Sequence, residues 1–322
     1  MKTLDDYRID IETAINSLNF PQGKYDSLYN PIKYALSAGG KRIRPVLTLM
    51  AADAFGNKEE EAIMPAVGLE TFHNFTLLHD DVMDKSEMRR GRLTVHKKFN
   101  ENSAILSGDT MLTLATQYIS RVPESLLRIV LDSFNEMAIK VYEGQQLDMD
   151  FESQSKILLD DYIEMIKCKT GALLGTCAKI GALIGGASEK DAEKMFDYGL
   201  MTGVAFQIQD DWLDTFGDST SFGKNIGGDI NNGKKTYLYV IALQHDSQTA
   251  DALKEAFKIP SGDVRVKAVT RLYEKLGIDE DAKKAVNHYS AQALKALNAT
   301  SLSEDKKDVF RKLAEKLIGR KK

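Results

Sequence analysis

Residues 67–78 read VGLETFHNFTLL, and apolar side chains recur there at Val67, Phe72, Phe75 and Leu78. Apolar residues three or four positions apart share one face of an α-helix, whereas a half-buried strand alternates with a period of two. The same helical spacing recurs along residues 126–137 and 201–209, and alternating strand patterns are nearly absent. The sequence therefore predicts an all-α protein, a single large helical bundle whose one domain spans residues 1–322.

The composition argues against several classes of protein. Of the 322 residues 43% are hydrophobic, and the net charge of −4 lacks the basic patch of a nucleic-acid-binding surface. No uncharged apolar run approaches the ~18 residues of a membrane span, and the first residues lack the apolar core of a secretion signal. Two cysteines, Cys168 and Cys177, are too few for a disulfide framework. We interpret them as reduced core thiols and expect a cytoplasmic protein.

Two glycine-containing segments interrupt the helical pattern. The first, Ala38–Arg42, is a short break between helices. The second runs from Gly217 to Gly233 and contains five glycines with several lysines and aspartates. A loop of this length is uncommon in a compact domain and is more often functional than incidental. We therefore expect the Gly217–Gly233 loop to serve the activity.

Three aspartates, Asp80, Asp81 and Asp84, follow the first helix as a DDxxD cluster. On a helix, Asp80 and Asp84 lie one turn apart on the same face. Carboxylates this close raise one another's pKa unless a cation intervenes, and Mg²⁺ is commonly held by one or two carboxylates together with substrate phosphates. Taken alone, the cluster is equally consistent with a solvated acidic helix end.

A second DDxxD cluster, Asp210, Asp211 and Asp214, follows the helical residues 201–209. Two such clusters 130 positions apart are hard to explain as solvated surface. Helical bundles build metal sites from side chains on facing helices, so the two clusters could hold a diphosphate through several Mg²⁺ ions.

Basic side chains accompany both clusters. They are Lys41, Arg42 and Arg44 after the first glycine break, Arg89, Arg90 and Arg92 after the first cluster, and Lys224, Lys234 and Lys235 after the second. Arginine binds phosphate oxygens through a fixed fork, and lysine binds them as a mobile point charge. A basic run alone is usually plain surface, but metal-binding carboxylates with separate cations indicate two anionic groups. One group is bound through metal and the other directly.

Together these motifs resemble the all-trans polyprenyl diphosphate synthases, the farnesyl and geranylgeranyl diphosphate synthase family. The resemblance runs from Gly39 to Thr236 and rests on GGKRIRP (39–45), LHDDVMD (78–84), RRG (89–91), GQ (144–145), KTG (169–171), FQIQDDWLD (206–214) and GKKT (233–236). It implies the isoprenoid synthase fold with a central apolar cavity, condensation of isopentenyl diphosphate with allylic diphosphates, and a homodimer.

The resemblance also implies a role for each matching residue. The residues that would hold Mg²⁺ are Asp80, Asp84 and Asp210, supported by Asp81, Asp211 and Asp214. Three Mg²⁺ ions are expected when diphosphate is bound. Those that contact the allylic diphosphate are Arg89, Lys169 and Lys224, with Thr170, Gln207 and Lys234 nearby. Those that bind isopentenyl diphosphate directly are Lys41, Arg44, His73 and Arg90. Mg²⁺ and these cations help the allylic diphosphate leave, and the resemblance gives the final proton to the released diphosphate.

Product length in the resembling family depends on the residues four and five positions before the first cluster, here Thr76 and Phe75. An aromatic at the fifth position resembles synthases of twenty-carbon products, and a second aromatic at the fourth would indicate fifteen carbons. We therefore expect geranylgeranyl diphosphate ahead of farnesyl diphosphate. A helical wheel places Thr76 on the face of Asp80 and turns Phe75 away from it, so the role of Phe75 depends on the resemblance.

Two other functions are weighed against the synthase. A class I terpene cyclase also ionises a diphosphate with Mg²⁺, but it does not need the second anion site at Lys41, Arg44 and Arg90. A non-catalytic subunit of a heteromeric prenyl synthase usually lacks part of an aspartate cluster, and both clusters are intact here. The sequence therefore favours an active prenyltransferase.

Overall fold

The computed structural model describes residues 1–154, 156–217 and 226–319. These residues form sixteen α-helices, one π-helical turn and one hairpin of two-residue strands. In chain order the elements are α1 (Leu4–Asn16), α2 (Asp26–Leu36), α3 (Ile43–Gly56), α4 (Glu59–Met83), β1 (Met88–Arg89), β2 (Arg92–Leu93), α5 (Val95–Lys98), α6 (Glu101–Ile119), α7 (Glu124–Ser153), α8 (Leu159–Ile166), the π-helical turn (Lys167–Gly171), α9 (Ala172–Ile184), α10 (Glu189–Phe216), α11 (Gly228–Asn232), α12 (Tyr237–Leu243), α13 (Ser247–Lys258), α14 (Asp263–Leu276), α15 (Ile278–Asn298) and α16 (Glu304–Ile318). The all-α prediction is confirmed, and the small hairpin is a feature that the sequence pattern did not indicate.

The chain divides into two compact units. The first contains Met1–Asn135 and Cys177–Glu193, and the second contains Glu136–Thr176 and Lys194–Lys322. Each unit has its own buried core. The single functional domain and the central apolar cavity expected from the sequence stay predictions.

In the first unit, α4 is the main packing element and lies along α6 and α3. Two glycines allow α4 and α6 to approach closely, because a Cβ atom at Gly68 or Gly108 would overlap atoms of the opposite helix. Phe72 and Phe75 are buried on α4. The segment that predicted this helix therefore lies within α4, and the helix carries the first aspartate cluster at its C-terminal end.

In the second unit, three side chains fix the last turns of α10. Asp211 accepts a hydrogen bond from the backbone N–H of Tyr237 at 2.8 Å, at the start of α12. The indole Nε1 of Trp212 donates to Asp279 Oδ1 at 2.5 Å in α15, and Asp214 accepts from the backbone N–H of Asp229 at 2.9 Å in α11. The second aspartate cluster is therefore also the point at which α10 is joined to the elements that follow it.

Further sequence expectations can be compared with these elements. The glycine break at Ala38–Arg42 is confirmed, since α2 ends at Leu36 and α3 begins at Ile43. Residues 218–225 of the predicted Gly217–Gly233 loop lie outside the described residues, and its last part is not loop, because Gly228–Asn232 form α11. Cys168 and Cys177 are free and buried, as predicted. Within the described ranges, no helix is long and apolar enough to cross a membrane.

Candidate active site

The first aspartate cluster lies at the C-terminal end of α4. Asp80 is half-buried, Asp81 is buried, and Asp84, the C-cap residue, is exposed. The backbone N–H of Asp84 donates to the carbonyl oxygen of Asp80 at 2.8 Å, which places the two residues one helical turn apart. The predicted spacing of Asp80 and Asp84 is therefore confirmed.

Arg89 reaches back to this cluster from strand β1. Its Nε donates to Asp81 Oδ1 at 2.8 Å, and its Nη2 lies 3.4 Å from Asp80 Oδ2. Burial raises the pKa of Asp81 to about 6, and the charge of Arg89 opposes that rise. Two adjacent carboxylates against one guanidinium leave a net negative charge, which favours the binding of a further cation.

Arg44 and His73, two of the predicted ligands of isopentenyl diphosphate, contact each other. Arg44 Nη1 lies 3.2 Å from His73 Nε2. Burial, followed by the charge of Arg44, holds the pKa of His73 well below its ordinary value of 6.5, so the ring is neutral at physiological pH. Because a guanidinium only donates hydrogen bonds, Nε2 accepts here and the proton of the neutral ring lies on Nδ1. The pair thus presents donors on both side chains.

Arg90 packs against the glycine break. Its Nη1 donates to the carbonyl oxygen of Gly39, and a Cβ atom added at Gly40 would lie 3.0 Å from the guanidinium. Gly40 also has a φ of +130°, which side chains rarely adopt. Lys41 follows directly and is exposed. The structure therefore brings Arg90 to the segment that carries Lys41.

Two other cations of the basic runs are used for packing. Arg42 is 3% exposed and donates from Nε to Glu12 and from Nη1 to Glu70. Arg92 lies over the ring of Tyr34, with Cζ 4.1 Å from its centroid. The sequence runs therefore mix ligand candidates with structural cations, and only the fold separates them.

The second aspartate cluster shows the same division between accessible and buried carboxylates. Asp210 is half-buried, whereas Asp211 and Asp214 are buried. Asp211 accepts hydrogen bonds from the hydroxyl of Tyr162, the backbone N–H of Tyr237 at 2.8 Å and Nε2 of Gln207 at 3.0 Å. Burial, then the nearby Asp229, raises the pKa of Asp211 to about 7 against these three donors.

Lys169 and Thr170 lie in the π-helical turn Lys167–Gly171. Lys169 Nζ contacts Asp148 Oδ2 at 2.5 Å, and Thr170 Oγ1 donates to Gln207 Oε1 at 3.2 Å. Gly144 permits this turn to approach α7, because a Cβ atom there would overlap the backbone of Lys169. Single π-helical turns often occur at functional sites, and this one directs two predicted ligand residues into one pocket.

The pocket in the second unit collects most of the predicted allylic-site residues. Its lining includes Asp148, Tyr162, Lys169, Thr170, Gln207 and Lys234. Sequence reasoning missed Asp148 and Tyr162. A signal for Asp148 was present, since it lies three residues after Gln145 of the GQ motif, but Tyr162 belongs to no motif. Lys224 lies outside the described residues, and Lys235 packs over Tyr239, with Nζ 4.2 Å from the ring centroid.

The carboxylates of both clusters suit Mg²⁺. They are hard oxygen donors, and burial raises the pKa of Asp81, against the charge of Arg89, and of Asp211. Among the described residues, no three His, Cys, Asp or Glu side chains form a ready metal-binding group. Mg²⁺ does not need one, because it commonly combines one or two carboxylates with substrate phosphates and water. The more accessible carboxylates are Asp80 and Asp84 in the first cluster and Asp210 in the second.

Phe75 and Thr76 occupy different surroundings on α4. Phe75 is buried, with its ring centroid 5.5 Å from that of Phe72 and 4.8 Å from that of His79. Thr76 is half-buried, and its Oγ1 donates to the carbonyl oxygen of His73 at 2.8 Å. Phe75 thus belongs to an aromatic cluster in the core of the first unit.

Comparison with known proteins identifies the family. The sequence profile of one family, Polyprenyl synthetase, matches residues 25–276, a range that includes both aspartate clusters and the hairpin arginines. The chain belongs to this family.

Individual relatives agree with this assignment. This polyprenyl synthetase is 40% identical over 236 residues to the geranylgeranyl diphosphate synthase of Methanosarcina mazei, covering 73% of this chain and 72% of that one. It is 33% identical over 331 residues to the geranylgeranyl diphosphate synthase of Sulfolobus acidocaldarius, covering 100% of both. A crystal structure of a geranylgeranyl pyrophosphate synthase matches with a TM-score of 0.93 at 37% identity, covering 100% of both chains. The architecture is the all-α isoprenoid synthase fold.

Proposed function

We propose that this polyprenyl synthetase is a Mg²⁺-dependent trans-prenyltransferase that condenses isopentenyl diphosphate with allylic diphosphates and ends at geranylgeranyl diphosphate. The observation that carries the proposal is the coexistence of carboxylate clusters suited to Mg²⁺ with a separate arginine–histidine anion site at Arg44 and His73. The relatives from Methanosarcina mazei and Sulfolobus acidocaldarius are geranylgeranyl diphosphate synthases, which supports the same product.

The allylic diphosphate is assigned to the aspartate clusters and to Lys169. Asp80, Asp84 and Asp210 are the proposed Mg²⁺ ligands, with three ions expected when diphosphate is bound. Bound Mg²⁺ neutralises the diphosphate and makes it a better leaving group. Lys169, with Thr170 and Gln207 beside it, binds the same phosphates, and Asp148 holds its ammonium group in the pocket beforehand.

Isopentenyl diphosphate is assigned to Lys41, Arg44, His73 and Arg90. Arg44 has a buried Nε without a hydrogen-bond partner among the described residues, which leaves a donor available to an anion. His73, neutral and protonated on Nδ1, adds a donor without adding charge. Direct binding by fixed donors keeps this diphosphate intact while the other one leaves.

The proposed reaction needs no protein nucleophile. The C–O bond of the allylic diphosphate breaks, and the diphosphate leaves with the electron pair. The double bond of isopentenyl diphosphate attacks the resulting allylic carbon and forms the new C–C bond. Loss of one proton to the released diphosphate then restores a double bond. Arg89 and Lys169 stabilise the negative charge that develops on the leaving group.

A product assay tests the function. Purified protein receives labelled isopentenyl diphosphate with a five-, ten- or fifteen-carbon allylic primer, in Mg²⁺ or in EDTA. We expect elongation in Mg²⁺ only, ending at twenty carbons. Diphosphate release from an allylic primer alone would indicate a cyclase, and no reaction at all would indicate a binding subunit.

Replacement of Phe75 by alanine is expected to lengthen the product beyond twenty carbons, because it removes a buried aromatic ring from α4. Chromatography of the dephosphorylated products gives the chain length. Phe151→Ala is a matched control, since Phe151 is also buried but belongs to the core of the second unit. Both variants lose stability, by about 3–5 kcal/mol for a buried phenylalanine, but only Phe75→Ala should change the product. An unchanged product would show that another residue sets the limit.

The homodimer and the cytoplasmic location also belong to this proposal. Sedimentation of the purified protein would test the first, and fractionation of the source cells the second.

A further inference from the structure

We propose that Glu12 of helix α1 is a positioning residue for isopentenyl diphosphate, acting through Arg42 on the glycine break that carries Lys41. The inference depends on the proposed function, which assigns Lys41, Arg44 and His73 to that substrate. Glu12 lies outside residues 25–276, the range matched by the family profile, and in no motif of the sequence.

Arg42 closes the glycine break from within. Its Nη2 donates to the carbonyl oxygen of Leu36, the last residue of α2, at 2.7 Å. One hydrogen bond therefore joins the two ends of the segment that contains Gly39, Gly40 and Lys41. Arg42 also adopts a φ of 48°, a left-handed backbone conformation that is strained for any residue with a Cβ atom. The surroundings of its guanidinium must offset that strain.

Glu12 supplies much of this compensation. Its two carboxylate oxygens lie 2.8 Å from Nε and 3.4 Å from Nη2 of Arg42, a two-point contact that fixes the plane of the guanidinium. Glu70 accepts from Nη1 at 2.7 Å on α4. The guanidinium is thus fixed by α1, α2 and α4 together, and a shift of Glu12 moves the loop end that Arg42 holds.

The same network touches the helix that carries His73. Glu70 Oε1 also accepts from Asn74 Nδ2 at 3.2 Å, and Asn74 follows His73 directly. Arg44 lies two residues after Arg42 at the start of α3. Lys41 and Arg44 thus lie within two residues of Arg42, and His73 precedes Asn74, which shares the Glu70 carboxylate with Arg42.

Helix α1 is held in place by a buried face and by a capped N-terminus, so it can fix the position of Glu12. Tyr7, Ile11 and Ile15 are buried at intervals of four residues, and the hydroxyl of Tyr7 donates to the buried Asp53 on α3. Thr3 and Asp6 form a capping box at the start of the helix. Glu12 follows the buried Ile11 directly on this helix, so its backbone is held in place where its carboxylate contacts Arg42.

The proposal is tested with three substitutions that separate charge from geometry. Glu12→Asp keeps the charge but shortens the side chain by one methylene. Glu12→Gln keeps one acceptor oxygen at the same reach but loses the charge and the second contact, and Glu12→Ala removes all of these. The dissociation constant of isopentenyl diphosphate is measured by calorimetric titration into metal-free protein, so no turnover is needed. We expect Glu12→Asp and Glu12→Ala to raise this dissociation constant ~10-fold, on the scale of one charge-assisted hydrogen bond. Glu12→Gln should raise it less than ~3-fold, because its amide oxygen can still accept from Arg42 Nε.

Two controls make the outcome specific. Asp10 also lies on α1, and its carboxylate contacts Lys2 Nζ at 2.9 Å. Asp10→Asn removes that ion pair and should leave the dissociation constant of isopentenyl diphosphate unchanged. The dissociation constant of an allylic diphosphate should also stay within about 2-fold in every variant. Wild-type affinity in Glu12→Asp, or equal weakening for both substrates, would overturn the inference. Elongation by the wild-type enzyme, measured separately, decides the proposed function independently of this result.

Discussion

Replacing Asp80 or Asp210 by asparagine is expected to lower the rate of prenyl transfer at least about 10²-fold, the scale of losing one preorganised electrostatic contact. Both side chains are half-buried, and they are among the more accessible carboxylates of their clusters. An amide keeps the shape but loses the charge that a hard divalent cation requires. Turnover of labelled isopentenyl diphosphate, measured over a range of Mg²⁺ concentrations, gives both the rate and the metal requirement.

Asp132→Asn is the matched control for charge removal. Asp132 forms a surface contact with Arg128 at 2.6 Å, with side chains 53% and 91% exposed, and its loss should leave turnover within about 2-fold of wild type. The single tryptophan, Trp212, lies two residues after Asp210 and offers a second readout. Its fluorescence should respond to Mg²⁺ with diphosphate in wild type and respond less in Asp210→Asn. Near wild-type turnover in either aspartate variant would refute the metal assignment.

The sequence was informative where one local pattern decides the structure. The spacing of Phe72, Phe75 and Leu78 predicted the interior of α4, and the Gly39–Gly40 pair predicted the break before α3. Both follow from helix periodicity and from the φ angles that glycine alone adopts readily. The same reasoning placed both aspartate clusters at helix ends.

Local sequence patterns could not predict contacts between residues that are distant in sequence. Arg42 and Arg44 are the same type of residue in the same motif. Arg42 is nevertheless buried between two glutamates, whereas Arg44 contacts His73. The π-helical turn at Lys169 depends on the close approach permitted by Gly144, which no local propensity reveals. Tyr162 enters the site through a hydrogen bond to Asp211, 49 positions away in sequence. Such roles depend on tertiary packing.

Replacing Glu70 by glutamine is expected to destabilise the first unit by about 3 kcal/mol, the lower end of the ~3–5 kcal/mol measured when one partner of a buried ion pair is removed. The side chains of Glu70 and Arg42 are 3% and 1% exposed, so the remaining guanidinium cannot exchange its lost partner for water. Glu12 retains part of the compensation, which is why the lower value is expected. The midpoint of thermal unfolding should fall by roughly 6–12 °C.

The control for Glu70→Gln is Glu61→Gln on the same helix. Glu61 lies 3.8 Å from Lys58, and both side chains are more than 40% exposed, at 47% and 44%. An exposed pair of this kind contributes ~0–1 kcal/mol, so its midpoint should move by no more than a few degrees. Equal midpoints for the two variants would mean that water or a rearranged neighbour satisfies Arg42. Since Arg42 also closes the glycine break, a large shift for Glu70→Gln should come with weaker binding of isopentenyl diphosphate. That coupling distinguishes an ion pair that organises the site from one that only stabilises the fold.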